Sequence, residues 1–333
     1  MKFGPVPTQQ AAGAVLAHAL QLAGGKLKKG HLLTQADVAN IQNEGIAQVI
    51  VARLEADDIG ENDAASRLAQ AIVPDQDVAG LRVEPSFTGR VNLRASMAGI
   101  LQVDVQAVNA INAVDPMITL ACLPVYQRVS ETMMVATVKI IPYAVPDAAL
   151  RQACELARNA LTLKRPVIRT ARLILTEVAG GKASLNDKAV EAVRGRLAAL
   201  GVGLERVVIL PHDRAAMADA IGQASEELVL ILTASATSDI DDIMPGGLRD
   251  SGGQIIRFGM PVDPGNLLVL GARGAQSVIG LPGCARSPAL NGADWVLERV
   301  ICGIPLTSED ISTMGVGGLL KEIPTRPQPR EGK

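Results

Sequence analysis

The pattern of apolar and polar positions changes along the chain and marks out three stretches. In the first, Gln9 to Leu22 is mostly apolar with few charges, and it predicts a helix. A basic turn at Lys26–Gly30 precedes Thr34-Gln-Ala-Asp37, the pattern of a helix N-cap, and the helix it opens is expected to end near Gly45. Ala47 to Leu54 (AQVIVARL) is short, apolar and rich in β-branched residues, which predicts a strand. After the acidic turn Asp57–Glu61, Asn62 is expected to cap a helix reaching about Ile72.

From residue 80 to 148, Thr88-Gly89 reads as a turn leading into a helix around 93–100, and Val103 to Ala113 has helical spacing. Met133 to Pro142 (MMVATVKIIP) is the clearest strand of this half. A helix from Ala148 to Leu163 is expected to lead into the next domain.

Beyond residue 165 the rhythm becomes regular. Arg172–Val178, Arg206–Leu210 and Glu227–Leu232 read as strands. They alternate with helices from Asn186 or Asp187 to Leu200 and from Asp213 to Ala224. A β-α-β-α-β order predicts a parallel sheet with right-handed crossovers. Ligands in such sheets bind beyond the carboxyl ends of the strands, so the loops after Val178, Leu210 and Leu232 are the places for a site. The expected division is 1–75, 76–164, 165–305 and 306–333, an α/β protein with an α+β N-terminal region. Pro324 to Lys333 reads as a loose tail.

Composition agrees with an α/β reading. The 333 residues suit about two domains at roughly 150 residues each. Hydrophobic residues make up 48% and aromatics 2%, so the cores must be built from Ala, Val, Leu and Ile. A net charge of −2 argues against a general nucleic-acid binder, and the scarcity of aromatics argues against single-strand stacking. Cys122, Cys154, Cys284 and Cys302 form no C-x-x-C pair and are expected to be buried thiols of a reducing compartment. His18, His31 and His212 lie too far apart in sequence to support a zinc site. The N-terminus lacks a signal-peptide pattern, and the apolar run near Leu228–Leu232 is far too short to span a bilayer. A soluble cytoplasmic protein is expected.

Four places carry candidate chemistry. The loop Thr233–Asp242 (TASATSDIDD) follows the third strand, and its small residues allow backbone N–H groups close to an anion. Its acids Asp239, Asp241 and Asp242 either hold magnesium or cap the next helix. Arg257–Asn266 (RFGMPVDPGN) is either a rigid pocket wall or an ordinary wide connection. Gly280–Ser287 (GLPGCARS) follows a short strand at Ser277–Ile279 and precedes a helix expected from Pro288 or Ala289 to Cys302. That helix N-terminus would suit an anion, with Arg286 adding a charge-assisted contact. Cys284 reads as packing rather than as a nucleophile. His212-Asp213-Arg214 lies at another strand end, with Asp213 as helix cap and His212 as a surface residue the simpler reading.

Taken in order, RLILTEV, LPHDRAAMADAI, LVLILTASATSDIDD, GMPVDPGN and VIGLPGCARSP resemble the molybdopterin-binding domain of MogA/MoaB-type and MoeA-type proteins. KKGHLLTQADVANIQNEGIAQVIVARLEADDIGENDAASRLA, TGRVNLRA, NAVDPMITLACLPVY and MVATVKIIPYAV look most like the MoeA-like group, which in some bacteria is fused to a molybdopterin cytidylyltransferase. The resemblance runs from about Gly4 to Pro305. It implies a three-layer α/β/α domain with a parallel or mixed sheet that binds molybdopterin, and a role in molybdenum cofactor biosynthesis, by adenylylation, molybdate insertion or handling of the pterin. It puts Asp242 and Asp239 in the place of the family's acids, with Mg2+, and ATP or AMP as possible co-substrate. Thr233, Ser235 and Thr237 would then face the pterin's phosphate. Pro261, Gly265, Gly280, Pro282 and Gly283 match the pocket-shaping turns, with Arg286 and Ser287 beside them. The family's two adjacent glycines are Ala234 and Ser235 here, and Gly180–Asp187 is only loosely family-like. The alternative to an enzyme is a pterin carrier serving a cytidylyltransferase or a molybdoenzyme, and a third reading is a scaffold that has lost its ligand. The family also implies a homo-oligomer.

Overall fold

The computed structural model describes residues 1–178 and 183–320. The expected tail Pro324–Lys333 and the segment Gly180–Lys182 lie outside the described residues. The chain divides into two compact units, Met1–Met97 with Leu101–Leu163, and Ala98–Ile100 with the chain from Lys164 onward.

In the first unit, Lys2–Pro7 pairs antiparallel with Gln48–Arg53, the strand expected over 47–54, which also takes Val15–Leu16. The expected helix over 9–22 does not form. In its place are a 3-10 turn at Thr8–Gln10, the strand Val15–Leu16 and a hairpin of Leu20–Leu22 with Gly25–Leu27. Gly13 takes φ +75°, which breaks any helix there, and pairing buries Ala14 and Leu16 against Val49 and Val51. Strand pairing has overridden the helix propensity of an Ala- and Leu-rich stretch. The helix Gln35–Asn43 does form. Its cap is a full capping box, with Thr34 accepting from the Asp37 N–H and Asp37 accepting from the Thr34 N–H.

The larger core of this unit lies on a four-stranded antiparallel sheet in the order Ile118–Cys122, Met134–Ile140, Arg90–Ala95, Leu81–Val83. Leu68 and Ile72 from the helix Glu61–Ile72, Ile111 from Val105–Val114 and Leu150 from Asp147–Leu156 pack with Leu93, Val138 and Ile140. The helix expected around 93–100 is two strands, Arg90–Ala95 and Gly99–Val103. Val91, Leu93 and Ala95 are buried at every second position, a period that belongs to strands. The helix expected over 148–163 stops at Leu156, and Leu161–Lys164 is a strand. Asn62 is not the cap of its helix. Gly60 holds that position, and the Asn62 Oδ1 instead accepts the Gly89 N–H at 2.8 Å.

The second unit holds a six-stranded mixed sheet in the order Gly203–Pro211, Thr170–Glu177, Leu228–Leu232, Gln276–Gly280, Val269–Arg273, Gln254–Phe258. The first four strands are parallel, and the last two join antiparallel. The expected alternation is present: Thr170–Glu177, helix Ala183–Ala198, Gly203–Pro211, helix Arg214–Gly222, then Leu228–Leu232. Ile174, Val229, Ile231 and Val278 face Met217, Ile221, Met244 and Leu248, contributed by the helices Arg214–Gly222 and Ile243–Asp250. The opposite-facing Leu173, Leu175, Leu230 and Leu232 are fully buried as well. A sheet apolar on both faces is the middle layer of an α/β/α sandwich, as expected. No helix among the described residues is long and apolar enough to cross a membrane.

Candidate functional site

The carboxyl ends of Thr170–Glu177, Gly203–Pro211 and Leu228–Leu232 carry a connected polar network. Thr176, 2% exposed, sits near the end of the first of these strands. Its hydroxyl oxygen accepts the Ala234 N–H at 2.8 Å and lies 2.8 Å from His212 Nδ1. A hydroxyl has one proton. Its oxygen has two lone pairs, so besides accepting from Ala234 it can either donate its proton to Nδ1 or accept from an Nδ1–H, as the ring tautomer dictates. His212 is therefore tied into the site rather than free at the surface, while Asp213 does cap its helix, accepting the Ala216 N–H at 2.9 Å. Glu177 accepts from the Asn186 amide, so the first strand's end is also joined to the helix that follows it.

The loop after Leu232 begins from this anchor. Thr233 Oγ1 donates to the Ser235 carbonyl at 2.6 Å and lies 3.3 Å from Thr237 Oγ1. Thr237 is buried, whereas Ala234 and Ser235 are exposed. The acids are used locally. Asp239 accepts the Asp241 N–H, and Asp242 caps the helix Ile243–Asp250, accepting the Ile243 N–H at 2.7 Å and the Ser238 N–H at 3.2 Å. Asp241 pairs with Arg249. Among the described residues no three acid, histidine or cysteine side chains gather as a metal site.

The 280–288 turn departs from expectation in one respect. Strand Gln276–Gly280 runs into Leu281 and Pro282, and a 3-10 turn follows at Gly283–Arg286, but the next helix starts only at Gly292. Its N-terminus is closed by its own capping box: Asn291 accepts the Ala293 N–H, and Asp294 accepts the Asn291 N–H. That helix end is not the anion site expected of it, because its donors are already satisfied. Gly280 serves packing, since a Cβ there would lie 2.9 Å from Met244 Sδ.

Arg196 fixes the turn, and the sequence reading missed it. From the helix Ala183–Ala198 it donates to Asp294 at 2.5 Å, to the Ala285 carbonyl at 2.9 Å, to Ser287 at 2.8 Å and to Ala289 at 3.1 Å. Both partners of the ion pair are at most 10% exposed. The only advance signal was one of two arginines, Arg194 and Arg196, near the end of a mixed helix. Arg286 then links turn and loop: its half-buried guanidinium donates to the Thr233 carbonyl at 2.8 Å. Burial lowers its pKa from the ordinary value.

Pro261 and Gly265 belong to a differently anchored segment. Pro264 accepts the Gly292 N–H, and Asp263 exchanges backbone bonds with Gly318 and Leu320. At Gly265, φ is +144° and a Cβ would fall 2.7 Å from the Gly292 nitrogen, so only glycine fits. The structure thus gathers Thr233, Ser235, Thr237, Arg286 and Ser287 with Thr176, His212 and Arg196. It holds Pro261 and Gly265 through separate bonds. A cavity of about 590 Å³ lies between the helix Ala183–Ala198 and the 283–288 turn, lined by Lys188, Glu191, Ala192, Gly283, Arg286 and Ser287 among others.

A family model described as a domain of unknown function (DUF8806) matches residues 5–53. No curated protein matches the chain. Among solved structures, the chain is similar to the protein CinA with unknown function from Thermoplasma acidophilum, at 16% identity over 36% of this chain and 91% of that one, with a TM-score of 0.29. It is similar to a molybdopterin biosynthesis MoeA protein from Pyrococcus horikosii at 11% identity, over 93% and 75% of the two chains, with a TM-score of 0.27. It is also similar to a molybdopterin biosynthesis protein from Mycobacterium abscessus at 15% identity, over 42% and 94%, with a TM-score of 0.28.

Proposed function

We propose that the protein binds molybdopterin and acts in molybdenum cofactor biosynthesis. The observation that carries the reading is Arg286. It is half-buried, bonded to a carbonyl of the facing loop, and pairs with no carboxylate among the described residues. A desolvated guanidinium with donors to spare at the carboxyl edge of a parallel sheet is suited to an anionic ligand. Its partner Thr233 and its neighbour Ser287, which lines the same cavity, bring further polar groups to that edge. The ordered resemblance of the strands and loops to molybdopterin-binding domains supports molybdopterin as that anion.

Within that reading the carrier form is favoured over the enzyme. Asp239 and Asp242 already accept backbone N–H groups of their own turn, so a magnesium ion has no preformed cage here. Ala234 and Ser235 carry Cβ atoms where the family has glycines. A carrier implies delivery to a cytidylyltransferase or a molybdoenzyme. Calorimetric titration of the full chain with molybdopterin should show saturable binding, and its absence would sink the proposal. Adding Mg2+ with ATP or molybdate should then give no turnover. Turnover would return the protein to the adenylyl- or molybdenum-transferring class and make Asp242 and Asp239 its catalytic acids.

A further inference from the structure

One edge of the six-stranded sheet is open among the described residues. Gly203–Pro211 lies outermost there and pairs in parallel with Thr170–Glu177. Pro211 stands opposite Glu177 in the register, and the His212 N–H bonds the Glu177 carbonyl. Backbone groups alternate in direction along a strand, so those of Val208 and Leu210 also point inward, and those of Val207 and Ile209 point away from the sheet. No described residue bonds Val207 or Ile209 on that outer side. Their side chains share one face and are 37% and 52% exposed, while Val208 and Leu210 join the core of Met217 and Ile221 on the other face. The open run is bounded by a bulge, where the register shift beside Ala171 and Arg172 leaves Glu205 unpaired, and by Pro211, which has no N–H. Exposed edges are commonly blunted by lysine, proline or a bulge, and Val207–Ile209 carries none of these.

We propose that this edge pairs antiparallel with the same edge of a second copy of the chain, joining two sheets across a two-fold axis. An axis normal to the sheet keeps each face on its own side, so odd positions meet odd positions. An axis through Val208 sets Val207 opposite Ile209 of the second copy, and Ile209 opposite the second copy's Val207. Residues opposed in this way exchange both backbone bonds. The outward groups of Val207 and Ile209 are then satisfied, their apolar side chains cover one another, and Arg206 faces Leu210. The neighbouring registers are poorer. An axis through Arg206 sets that residue against itself, and like charges directly opposite repel. An axis through Val207 sets Glu205 against Ile209, and one through Ile209 sets Val207 against Pro211, which cannot donate. The edge is complementary to itself in a single register, and that favours a second copy over an unrelated strand. Because the paired strands run in opposite directions, the carboxyl ends that carry the two candidate sites point away from each other and stay open.

Sedimentation velocity of the full chain over a concentration series should show a dimer in equilibrium with monomer. Val207→Pro removes an N–H that no bond within the chain uses, and Ile209→Lys sets a charge against the second copy's Val207. Each should raise the dimer dissociation constant at least about tenfold, because the proline alone removes one hydrogen bond per copy. Far-UV circular dichroism checks that both variants fold, and Ile209→Lys tests the contact without a proline. The register is tested by Val207→Cys and Ile209→Cys, made in separate chains. Opposed residues lie about 5.5 Å apart at Cα, within reach of a disulfide, whereas the diagonals from 207 to 207 and from 209 to 209 span roughly 7–8 Å, beyond that reach. Mixed and oxidised, the two variants should give more cross-linked dimer than either does alone. A natural protein that is monomeric throughout the series overturns the proposal. So does a dimer undiminished in both Val207→Pro and Ile209→Lys, or a mixture that cross-links no better than its parts.

Discussion

The two walls of the candidate site are held in opposite ways. The 280–288 turn is fixed from outside, by Arg196 reaching across from another helix to Asp294 and three carbonyls. The Thr233–Asp242 loop is anchored at its start by Thr176 and Arg286, and from there on is held by its own short-range bonds. A wall fixed by buried long-range contacts keeps its shape whatever its exposed residues are. A wall fixed by local caps can exchange acids or glycines at little cost to the fold. The sharpest way to break the contrast is Arg196→Met, which keeps the aliphatic stem and removes the charge. It leaves the carboxylate of Asp294, 8% exposed, without its partner, and should cost about 3–5 kcal/mol in urea unfolding. Adding Asp294→Asn, which preserves the helix cap but removes the stranded charge, should recover a good part of the loss. A cost below about 1 kcal/mol for the single variant would mean that the turn is not held this way.

The parallel half of the fold was legible because its strands are continuous apolar runs and its helices lie between them, a pattern only a doubly covered sheet uses. The antiparallel half was not. In Arg90–Ala95 the buried positions alternate as in any strand, but the segment is short and rich in residues that also suit helices, and Gln9–Leu22 misled for the same reason. For the site, the loops could be read from the strand order. Their attachments could not, since Arg196 and Asp294 stand 98 positions apart and nothing local in sequence pairs them. Thr176 was likewise invisible, one threonine inside an apolar strand. The helix start at Gly292 was misplaced because Pro288 and Ala289 are both acceptable first-turn residues, whereas the reciprocal bonds of Asn291 and Asp294 settle the matter.

A smaller effect tests the other wall. Asp242 caps the helix Ile243–Asp250 through its side chain, so Asp242→Ala should cost about 1 kcal/mol in thermal or urea unfolding. Asp242→Asn keeps an oxygen acceptor at the same place and should stay within about 0.5 kcal/mol of the natural protein. The pair separates capping from charge. Where Asp242 only caps, the Asn form binds ligand as the natural protein does, with or without magnesium. A stable Asn form that loses magnesium-dependent affinity would show that this wall serves the ligand as well as the fold.

The smallest expected effect measures what such a local cap is worth, in a part of the chain where no ligand complicates it. In the box that opens Gln35–Asn43, Asp37 Oδ2 receives the Thr34 hydroxyl at 2.6 Å and the Thr34 N–H at 2.9 Å, with His31 Nε2 2.9 Å away. The Thr34 hydroxyl, then its N–H, then His31 hold the carboxyl at about 2, below its ordinary 3.8. A carboxyl whose pKa is lowered by folding stabilises the fold above its unfolded pKa. That contribution should therefore be complete above about pH 4 and fade as the pH falls from 3.8 towards 2. Because the group lies near the surface, solvent screening keeps the loss to about 1 kcal/mol or less. Carbon-detected NMR of the Asp37 carboxyl should place its midpoint near 2 in the natural protein, and Thr34→Ala, lacking the strongest donor, should move it upward. An unmoved midpoint in Thr34→Ala would show that the hydroxyl does not hold this carboxylate, and that the Asp37 cap, like the one on Asp242, rests on backbone donors.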